Sequence, residues 1–571
     1  MTYRAPLDDF SFLLDHVVGF EQVAATELFS DATPDLTTAI LSEAGKLCED
    51  VLAPLQRVGD EKGAVLENGV VRTPPGFAEG YRAIAQGGWI GMSASPDAGG
   101  MGLPQTLTMA VNEMMSAACL SLQLNPLMTQ GQIEALDNHA SEELKAIYLP
   151  KLISGEWHGT MNLTEPQAGS DVGALRTKAQ ANGDGSYAIT GQKIFISWAD
   201  TDFVENTCHL VLARLPDGAP GTRGISLFMV PKFIPDANGL PGKRNNLKVV
   251  SLEHKMGLHG SPTAVMEYSA ATGWLVGAPH QGMRAMFTMM NNARLGVGIQ
   301  GIGQAEGAFQ KALSYALERK QGRVPVENGT GTIIDHADVR RMLAAMKADT
   351  YAARSIALSC AVAIDMAHAT GDEGWRARAA FLTPIAKAFG TDIGCEVAHL
   401  GVQVHGGMGY IEESGAPQFS RDVRVTAIYE GTNGIQAMDL VARKMMDRGD
   451  AAFRLLDEVE ATAEAARGKL PELASDVWDA AETLRETTEW LVSQGDLNER
   501  FAGAVPYLRA FARVLGGHFH LKSALANPDA RLPLAAFYIQ RLLPEHASLL
   551  AQARQGAKGV YAVTPDDLAR R

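Results

Sequence analysis

The sequence is poor in cysteine and lacks long apolar runs. Its five cysteines are far apart, odd in number and never in a C-x-x-C pair, which argues against a zinc knuckle or a disulfide framework and indicates a reducing compartment. No apolar run approaches the roughly 18 residues of a membrane span, and the first residues, MTYRAPLDDFSF, carry acids where a signal peptide needs an apolar stretch. We therefore expect a cytoplasmic protein with no membrane span.

Basic residues are also in deficit. Lys and Arg number 50 against 65 Asp and Glu, a net charge of −15, and such a chain on average repels phosphate backbones and anionic lipid. Nucleic-acid binding is therefore not expected. The sequence does have length and apolar material, because 46% of its 571 residues are hydrophobic, and this length corresponds to about three to five structural units with packed cores.

The apolar pattern changes twice along the chain. Three- and four-residue spacing from Pro34 to about Trp157 predicts amphipathic helices. Short β-rich runs follow, with an Asn-Gly-Asp-Gly turn signal at 182–185, and helical spacing then returns and continues to the end. The predicted fold is mainly α with a central β domain, and the expected segments are an N-terminal extension (1–33), an α domain (34–157), a β domain (158–278), an α-helical bundle (279–447) and an additional helical C-terminal domain (448–571).

The segment Gly296–Gly301 matches the dinucleotide fingerprint G-x-G-x-x-G by letter. That fingerprint functions where a strand ends at the glycines and a helix begins beyond them, but the residues before Gly296 have helical spacing. We interpret these glycines as small residues that let two helices of a bundle approach closely. No nicotinamide site is predicted.

The segment Met161–Gly173 concentrates hydroxyls, glycines and a proline in one predicted loop at the entry to the β region. Glycine lets a backbone approach a ligand closely, and proline directs the course of the loop. The loop can therefore offer amide N–H groups and hydroxyls to a polar ligand, or it can be an ordinary turn. Metal-ligand spacing of histidines and a Ser-His-Asp arrangement are both lacking in the sequence, so no metal site is predicted.

Together with four further segments, this loop resembles the acyl-CoA dehydrogenase family. The segments are KIFIS at 193–197, LERKQ at 317–321, QVHGGMGY at 403–410 and IYEGTNGIQ at 428–436. The resemblance covers roughly residues 35–445, and five signatures in the family's order make chance agreement implausible. It implies an α domain, a β-barrel-like domain and an α-helical bundle, FAD as cofactor, α,β-desaturation of an acyl-CoA thioester, and an electron-transferring flavoprotein as electron acceptor.

The resemblance also implies which residues contact FAD. Those similar to the loop that holds the flavin ring are Met161, Leu163, Thr164 and Ser170, and those similar to the stretch that covers one flavin face are Phe195, Ile196 and Ser197. Residues that resemble contacts to the FAD of a neighbouring subunit are Arg319, Gln321, Gln403, Gly406 and Gly407, and those where the family again touches FAD are Thr432 and Asn433. Relatives commonly have Gln at the position of Gly434, which puts one adenine-side contact in doubt, and Arg319 alternatively forms an ion pair on a helix surface.

Glu430 is the residue that the resemblance assigns as the catalytic base. A thioester α-proton is a very weak acid, so its removal needs a positioned base and stabilisation of charge on the thioester oxygen. An apolar pocket can raise the pKa of a carboxyl towards neutrality, whereas spacing alone favours an exposed acid before a helix N-terminus. The residues similar to substrate contacts are Ser170, Asn291, Arg294 and Gly431, and Arg294 is equally a residue that braces its helix.

The N-terminal extension and the long stretch after Lys444 resemble a longer bacterial subgroup of the family. That subgroup includes 3-methylmercaptopropionyl-CoA dehydrogenases of dimethylsulfoniopropionate degradation, so the expected reaction converts 3-methylmercaptopropionyl-CoA to 3-methylthioacryloyl-CoA. The alternatives are a general short- or medium-chain acyl-CoA dehydrogenase of β-oxidation, a DNA-binding alkylation-response flavoprotein and a flavin-free relative. The C-terminal domain is expected to cover the surface through which shorter relatives form tetramers, which predicts a homodimer.

Overall fold

The computed structural model describes residues 3–324, 326 and 328–570. Within this range the chain divides into two compact units, with the boundary between Ala293 and Arg294 inside a long helix. The sheet unit consists of Ser42–Ala293 and the residues before Pro6. The helical unit consists of Pro6–Leu41 and the residues from Arg294 onward.

The N-terminal extension is helical and ionically anchored. It contains α1 (Leu7–His16) and α2 (Phe20–Ala24), which its unclear apolar period did not predict. Asp9 of α1 accepts hydrogen bonds from Lys347 Nζ (2.5 Å) and Arg531 Nη1 (2.6 Å) in the helical unit. Asp9 is an acid on the inner face of α1 and interrupts the apolar pattern of this helix. Ion pairs with cations far away in the sequence hold it in this buried position.

The first predicted amphipathic helix is present but interrupted by a wider turn. It consists of α3 (Pro34–Lys46), a π-helical turn (Leu47–Leu52) and α4 (Ala53–Lys62). Thr33 Oγ1 accepts a hydrogen bond from the Leu36 N–H (3.3 Å). This bond satisfies one of the unpaired amides at the helix start.

Three helices and a small hairpin complete the α part of the sheet unit. Their bounds are β1 (Val65–Glu67), β2 (Val70–Arg72), α5 (Phe77–Gln86), α6 (Gln105–His139) and α7 (Glu142–Ile153). Nearly all of α6 is buried, and Cys119 (φ −157°, ψ 86°) interrupts its helical backbone. Such a helix is a core element, because residues on all of its faces are buried.

A seven-stranded sheet forms the centre of the sheet unit. The strands after β2 are β3 (Trp157–Asn162), β4 (Lys178–Ala181), β5 (Tyr187–Ser197), β6 (Asn206–Arg214), β7 (Ile225–Pro231), β8 (Phe233–Pro235), β9 (Pro241–Arg244), β10 (Leu247–Leu252) and β11 (Thr263–Val276). The sheet order is β10-β11-β5-β4-β6-β3, with β7 paired to both β11 and β6, while β8 and β9 form a separate hairpin. The predicted Asn-Gly-Asp-Gly turn joins β4 to the antiparallel β5.

Long helices follow the sheet, in agreement with the predicted bundle. Their bounds are α8 (Gly282–Glu318), α9 (Ala337–Thr370), α10 (Glu373–His405), α11 (Ala416–Val423) and α12 (Asn433–Val441). A Cβ on Gly298 of α8 would lie 2.6 Å from the carbonyl oxygen of Ala386, and one on Gly301 would lie 2.5 Å from that of Gly390, both on α10. The fingerprint-like glycines therefore lie inside a helix and permit close helix packing, as interpreted from the sequence.

The remaining helices form the C-terminal extension. They are α13 (Asp450–Ala466), α14 (Pro471–Ser493), α15 (Leu497–Ala502), α16 (Ala504–Ala526), α17 (Pro528–Arg541), α18 (Glu545–Ala553), α19 (Lys558–Ala562) and α20 (Pro565–Ala569). Within the helical unit, α16 packs against α9, α10 and α12. The predicted fold class, mainly α with a central β domain and a helical C-terminal extension, is confirmed. In the described part of the chain, no helix has the length and apolar character needed to cross a bilayer.

Candidate active site

The turn before α12 has an unusual backbone. Glu430 (φ 57°) and Gly431 (φ 86°) are both in the left-handed region, which is uncommon for a residue with a side chain and is found at functional sites. The Thr432 hydroxyl then accepts a hydrogen bond from the Ile435 N–H (3.3 Å) and starts the helix. Glu430 therefore has the position predicted for it, in a turn that leads into a helix.

The Glu430 carboxyl is desolvated and lies near two cations. Its Oε2 atom is inaccessible to water and has no hydrogen-bond partner among the described residues. Burial raises the pKa of Glu430 to about 7, although the charges of Arg294 and Lys387 lower it. A carboxyl with this pKa can accept and release a proton near neutrality, as a general base must.

Arg294 lies near Glu430 and pairs with a second helix of the bundle. It is buried in α8, and its Nη1 lies 3.8 Å from Oδ2 of Asp439 on α12. Its positive charge also acts on the Glu430 carboxyl. Arg294 thus braces α12 and belongs to the charged surroundings of Glu430.

Lys387 was not predicted as a site residue, yet it contacts the same turn. Its side chain is completely buried in α10, and Nζ donates to the Gly431 carbonyl oxygen (3.0 Å) and to Asn433 Oδ1 (2.8 Å). A lysine inside the apolar run TPIAKAFG was the available signal, because lysine is almost never fully buried without a partner. Only the fold could identify that partner.

Asn433 uses its side chain inside the protein. Its Nδ2 donates to the Ala388 carbonyl oxygen (3.2 Å), Thr391 Oγ1 (2.9 Å) and Asp392 Oδ1 (2.6 Å), while Oδ1 accepts from Lys387. The amide therefore connects the turn to α10. This leaves the backbone of Asn433, more than its side chain, available for a cofactor contact.

In the sheet unit, the predicted flavin loop lies beside the end of β5. Thr164 O accepts a hydrogen bond from the Ile194 N–H (2.9 Å), and Leu163 O accepts one from Lys193 Nζ (3.0 Å). The loop is shorter than the sequence predicted, because Met161 is still part of β3, which pairs in parallel with β6. Two of the five signature segments are thus in direct contact.

A buried ion pair holds this loop. Glu165 Oε1 accepts from Lys193 Nζ (2.8 Å) and from the hydroxyl (2.6 Å) and N–H (3.0 Å) of Thr177, and Oε2 accepts from the Arg176 N–H (2.7 Å) and Gln167 Nε2 (2.7 Å). Burial by itself would raise the pKa of Glu165. The charge of Lys193 and these hydrogen bonds outweigh that effect and lower the pKa to about 2. The carboxylate is therefore ionised and joins the loop to β5.

The surface next to this ion pair suits a flat ligand. Phe195 is 59% exposed and has a left-handed backbone (φ 62°), while Ile196 is buried and Ser197 is partly exposed. Gly169 and Ser170 are exposed, and a Cβ on Gly169 would meet no atom within 4 Å. An exposed aromatic ring, a partly accessible hydroxyl and an open glycine loop fit the face and edge of a flavin ring.

The predicted contacts to a neighbouring subunit's FAD lie at the ends of two helices. Arg319 follows α8 directly, is exposed, and forms no ion pair with any described residue, so the surface ion pair considered for it is not found. Gln321 lies two residues further and accepts a hydrogen bond from His336 through its backbone oxygen (2.7 Å). The rings of Tyr315 and His405 stack 4.5 Å apart and bring the end of α8 to the end of α10.

The end of α10 is open. Gln403 is exposed in its last turn, and Gly406 (φ 59°) ends the helix with Gly407 beside it. A Cβ on either glycine would meet no atom within 4 Å. This backbone can be approached closely by a ligand.

Comparison with known proteins decides the family. Four models match in succession: the N-terminal domain of acyl-CoA dehydrogenase at 35–156, its middle domain at 160–271, its C-terminal domain at 280–446, and the acetyl-CoA dehydrogenase C-terminal-like domain at 455–564. The chain belongs to the acyl-CoA dehydrogenase family. As a member, it is a flavin-dependent oxidoreductase that acts on CH–CH bonds, which confirms the expected enzyme class and the FAD cofactor.

Individual relatives extend over nearly the whole chain. This acyl-CoA dehydrogenase is 45% identical over 543 residues to the 3-methylmercaptopropionyl-CoA dehydrogenase of Ruegeria pomeroyi, which covers 92% of this chain and 91% of that protein. A butyryl-CoA dehydrogenase of Syntrophomonas wolfei is 32% identical, with 94% of each chain covered. The structure of Caenorhabditis elegans ACDH-11 in complex with C11-CoA has the same fold, with a TM-score of 0.79 at 20% identity and coverage of 94% and 91%.

The substrate contacts expected from the family lie on different parts of this acyl-CoA dehydrogenase. Ser170 is exposed in the loop of the sheet unit, and Asn291 is exposed on the part of α8 that belongs to that unit. Arg294 and Gly431 are in the helical unit near Glu430. Their roles in substrate binding stay predictions, as do the individual FAD contacts.

Proposed function

We propose that Glu430 removes the α-proton of an acyl-CoA thioester in the desaturation that this enzyme catalyses. The observation that carries the proposal is the Glu430 carboxyl itself, which has a water-inaccessible oxygen without a partner in the described residues and a pKa of about 7. A carboxylate in these surroundings accepts a proton without losing it at once to bulk water. Bound FAD supplies the acceptor for the hydride that leaves the β-carbon.

The neighbouring amide of Gly431 is suited to stabilise the developing charge on the thioester oxygen. Its N–H donates to no atom of the described residues, while its carbonyl oxygen is held by Lys387 (3.0 Å) and by Gln436 Nε2 (3.3 Å). Gln436 Nε2 also donates to the Glu430 carbonyl oxygen (3.1 Å), which lies in the same peptide unit as the Gly431 N–H, so the direction of this N–H is preorganised. Glu430 then takes the proton while Gly431 donates to the oxygen.

The FAD contacts are proposed as the family resemblance implies, in part from a second subunit. Phe195 and the loop anchored by Glu165 offer an aromatic face and free backbone groups, and Arg319 offers a guanidinium without an ion-pair partner among the described residues. Gln403 lies about 24 Å along α10 from Lys387 at 1.5 Å per residue. This separation favours contacts of Gln403 with another subunit's cofactor.

A homodimer is the proposed assembly. Apolar side chains near the end of α10 are exposed, among them Met408 (48%), Tyr410 (88%) and Ile411 (44%), and a second copy of the chain would cover them. Light scattering should give twice the chain mass of 61.0 kDa. A mass near four chains would contradict the dimer.

The proposed substrate is 3-methylmercaptopropionyl-CoA, converted to 3-methylthioacryloyl-CoA. The 45% identity to the Ruegeria enzyme over almost the full length supports it. A short straight-chain acyl-CoA is the second candidate, because the Syntrophomonas butyryl-CoA dehydrogenase is similar over the same extent. An electron-transferring flavoprotein is the proposed electron acceptor, and the cytoplasmic location stays a prediction.

Anaerobic reduction of the flavin by a panel of acyl-CoA thioesters tests both the base and the substrate. We expect the fastest bleaching with 3-methylmercaptopropionyl-CoA, slower bleaching with butyryl- and octanoyl-CoA, and a loss of about 10²–10⁴-fold in Glu430→Gln, as for other general bases. Glu489→Gln is the matched control, since Glu489 is exposed on α14. Normal reduction of Glu430→Gln would refute the base, and preference for butyryl-CoA would refute the sulfur-containing substrate.

A further inference from the structure

Lys387 is a fully buried cation without a carboxylate in contact. No Asp or Glu oxygen of the described residues lies within 4.0 Å of its Nζ. Lys193, which is likewise fully buried, has Glu165 Oε1 at 2.8 Å. Because burial of an unpaired charge is unfavourable, the position of Lys387 indicates a use other than packing.

The contacts of Lys387 converge on the turn that carries Glu430. Nζ donates to the Gly431 carbonyl oxygen (3.0 Å) and to Asn433 Oδ1 (2.8 Å). Asn433 is in turn bonded to Thr391 (2.9 Å) and Asp392 (2.6 Å) on α10. A single side chain on a long rigid helix thus holds the residue that follows the base and the residue that begins α12.

The charge of Lys387 acts on Glu430 as well. Burial lowers the pKa of Lys387 to about 8, while Glu430 and Asp392 oppose this decrease. Conversely, the charge of Lys387 acts on Glu430, because Lys387 is one of the two cations that lower the pKa of Glu430. The other charged and titratable groups around the two residues are Arg294 on α8, Asp392 and Cys395 on α10, Tyr429 in the turn, Asp439 on α12 and Arg443 after it.

We propose that Lys387 is a positioning residue for Glu430: it holds the turn through the Gly431 carbonyl and the Asn433 amide, and it keeps a positive charge beside the carboxylate that receives the α-proton. This inference rests on the proposed role of Glu430. Lys387 itself touches neither substrate nor cofactor in this scheme. Its effect reaches the reaction through the position and the ionisation of Glu430.

The pH dependence of flavin reduction distinguishes this role from simple packing. In the wild type, the rate should rise with pH as Glu430 ionises and fall at alkaline pH as Lys387 loses its proton. In Lys387→Met the positive charge is gone. The acid limb of the pH profile, where the rate rises as Glu430 ionises, should therefore shift to higher pH by about one unit. The rate on that limb should then fall about tenfold, with little change in the affinity for the acyl-CoA.

Two further variants separate charge from geometry. Lys387→Arg keeps a charge that does not titrate in this range, so the acid limb should stay and the alkaline limb should disappear. Thr391→Val removes a hydroxyl bonded to Asn433 without changing any charge, so the rate should fall without a shift of either limb. Lys522→Met is the matched control, because Lys522 also donates to a backbone oxygen, that of Val17, but is not part of this site.

The experiment combines stopped-flow flavin reduction between pH 5.5 and about 9.5 with infrared titration of the Glu430 carboxyl, taken as the difference between wild type and Glu430→Gln. Flavin content and thermal unfolding show whether each variant is folded. The proposal is overturned if Lys387→Met folds and keeps both the wild-type acid limb and the wild-type titration of the Glu430 carboxyl. It is also overturned if Lys387→Arg retains the alkaline limb, and this second result decides the question if Lys387→Met does not fold. An active Glu430→Gln would refute the base itself, whereas an inactive Glu430→Gln with unshifted Lys387 variants would refute only the role of Lys387.

Discussion

Replacement of Lys193 by methionine should destabilise the sheet unit and loosen the loop proposed to hold the flavin. Lys193 is 0% exposed, and Glu165 is 4% exposed. Loss of the ammonium group leaves the Glu165 carboxylate buried without its cation and removes the hydrogen bond to the Leu163 carbonyl oxygen. Removal of one partner of a buried ion pair typically costs about 3–5 kcal/mol.

The pKa of Glu165 gives an independent magnitude. Its value of about 2, against a usual value of 4.5, corresponds to about 3 kcal/mol from favourable interactions of the ionised Glu165 at neutral pH. Burial lowers the pKa of Lys193 to about 8, which offsets much of this gain for the intact pair. Because the folded-state pKa of Glu165 is lowered, the contribution of Glu165 is complete above pH 4.5 and is lost as the pH falls towards 2. The difference between wild type and Lys193→Met should therefore shrink in acid.

Urea unfolding of a double-mutant cycle measures this effect. The variants are Lys193→Met, Glu165→Gln and their combination, with Lys178→Met on the exposed side of β4 as control. We expect the double variant to be less destabilised than the sum of the single ones by about 2 kcal/mol or more, since both charges are then removed together. Retention of FAD should fall in both single variants.

Additive single effects would refute the reasoning, because they would show that the two side chains stabilise the fold independently. A loss below about 1 kcal/mol in Lys193→Met would do so too, since that is the range of an exposed ion pair. Destabilisation by Lys178→Met of similar size would show that the substitution acts through general effects on the sheet.

Two further predictions concern the helical unit. Burial raises the pKa of Asp9, but Lys347 and other cations hold it well below its usual range, so Asp9→Asn should lower the free energy of unfolding by about 3 kcal/mol at pH 7. This difference should shrink progressively as the pH falls below 3.8. Equal urea midpoints for variant and wild type at pH 7 would contradict it. Gly298→Ala should destabilise the protein by more than 1 kcal/mol, because its Cβ would lie 2.6 Å from a carbonyl oxygen of α10. Gly434→Ala is the control and should cost less, because the nearest atom to its Cβ would be 3.8 Å away. Thermal unfolding of the two variants measures the difference.

The local part of the candidate site could be predicted from the sequence. IYEGTNGIQ contains the glycine that accepts a left-handed backbone and the threonine that begins α12, so neighbouring residues determine the turn that carries Glu430. The same holds for the loop that carries Thr164, although the continuation of β3 through Met161 to Asn162 was missed. Pairing of β3 with β6 defines that end, and strand pairing depends on residues far away in the sequence.

The sequence by itself determined the succession of helices and strands and the identity of the family, because these follow from short periodic patterns and from contiguous signatures. Only the tertiary structure decided which polar groups lose water and which partners they meet. Lys387 is separated from Glu430 by the second half of α10 and by α11, yet it contacts the adjoining residue. The pKa of Glu430 is set by burial and by cations from two other helices, and a desolvation energy depends on the whole surrounding packing and not on the neighbours in the chain.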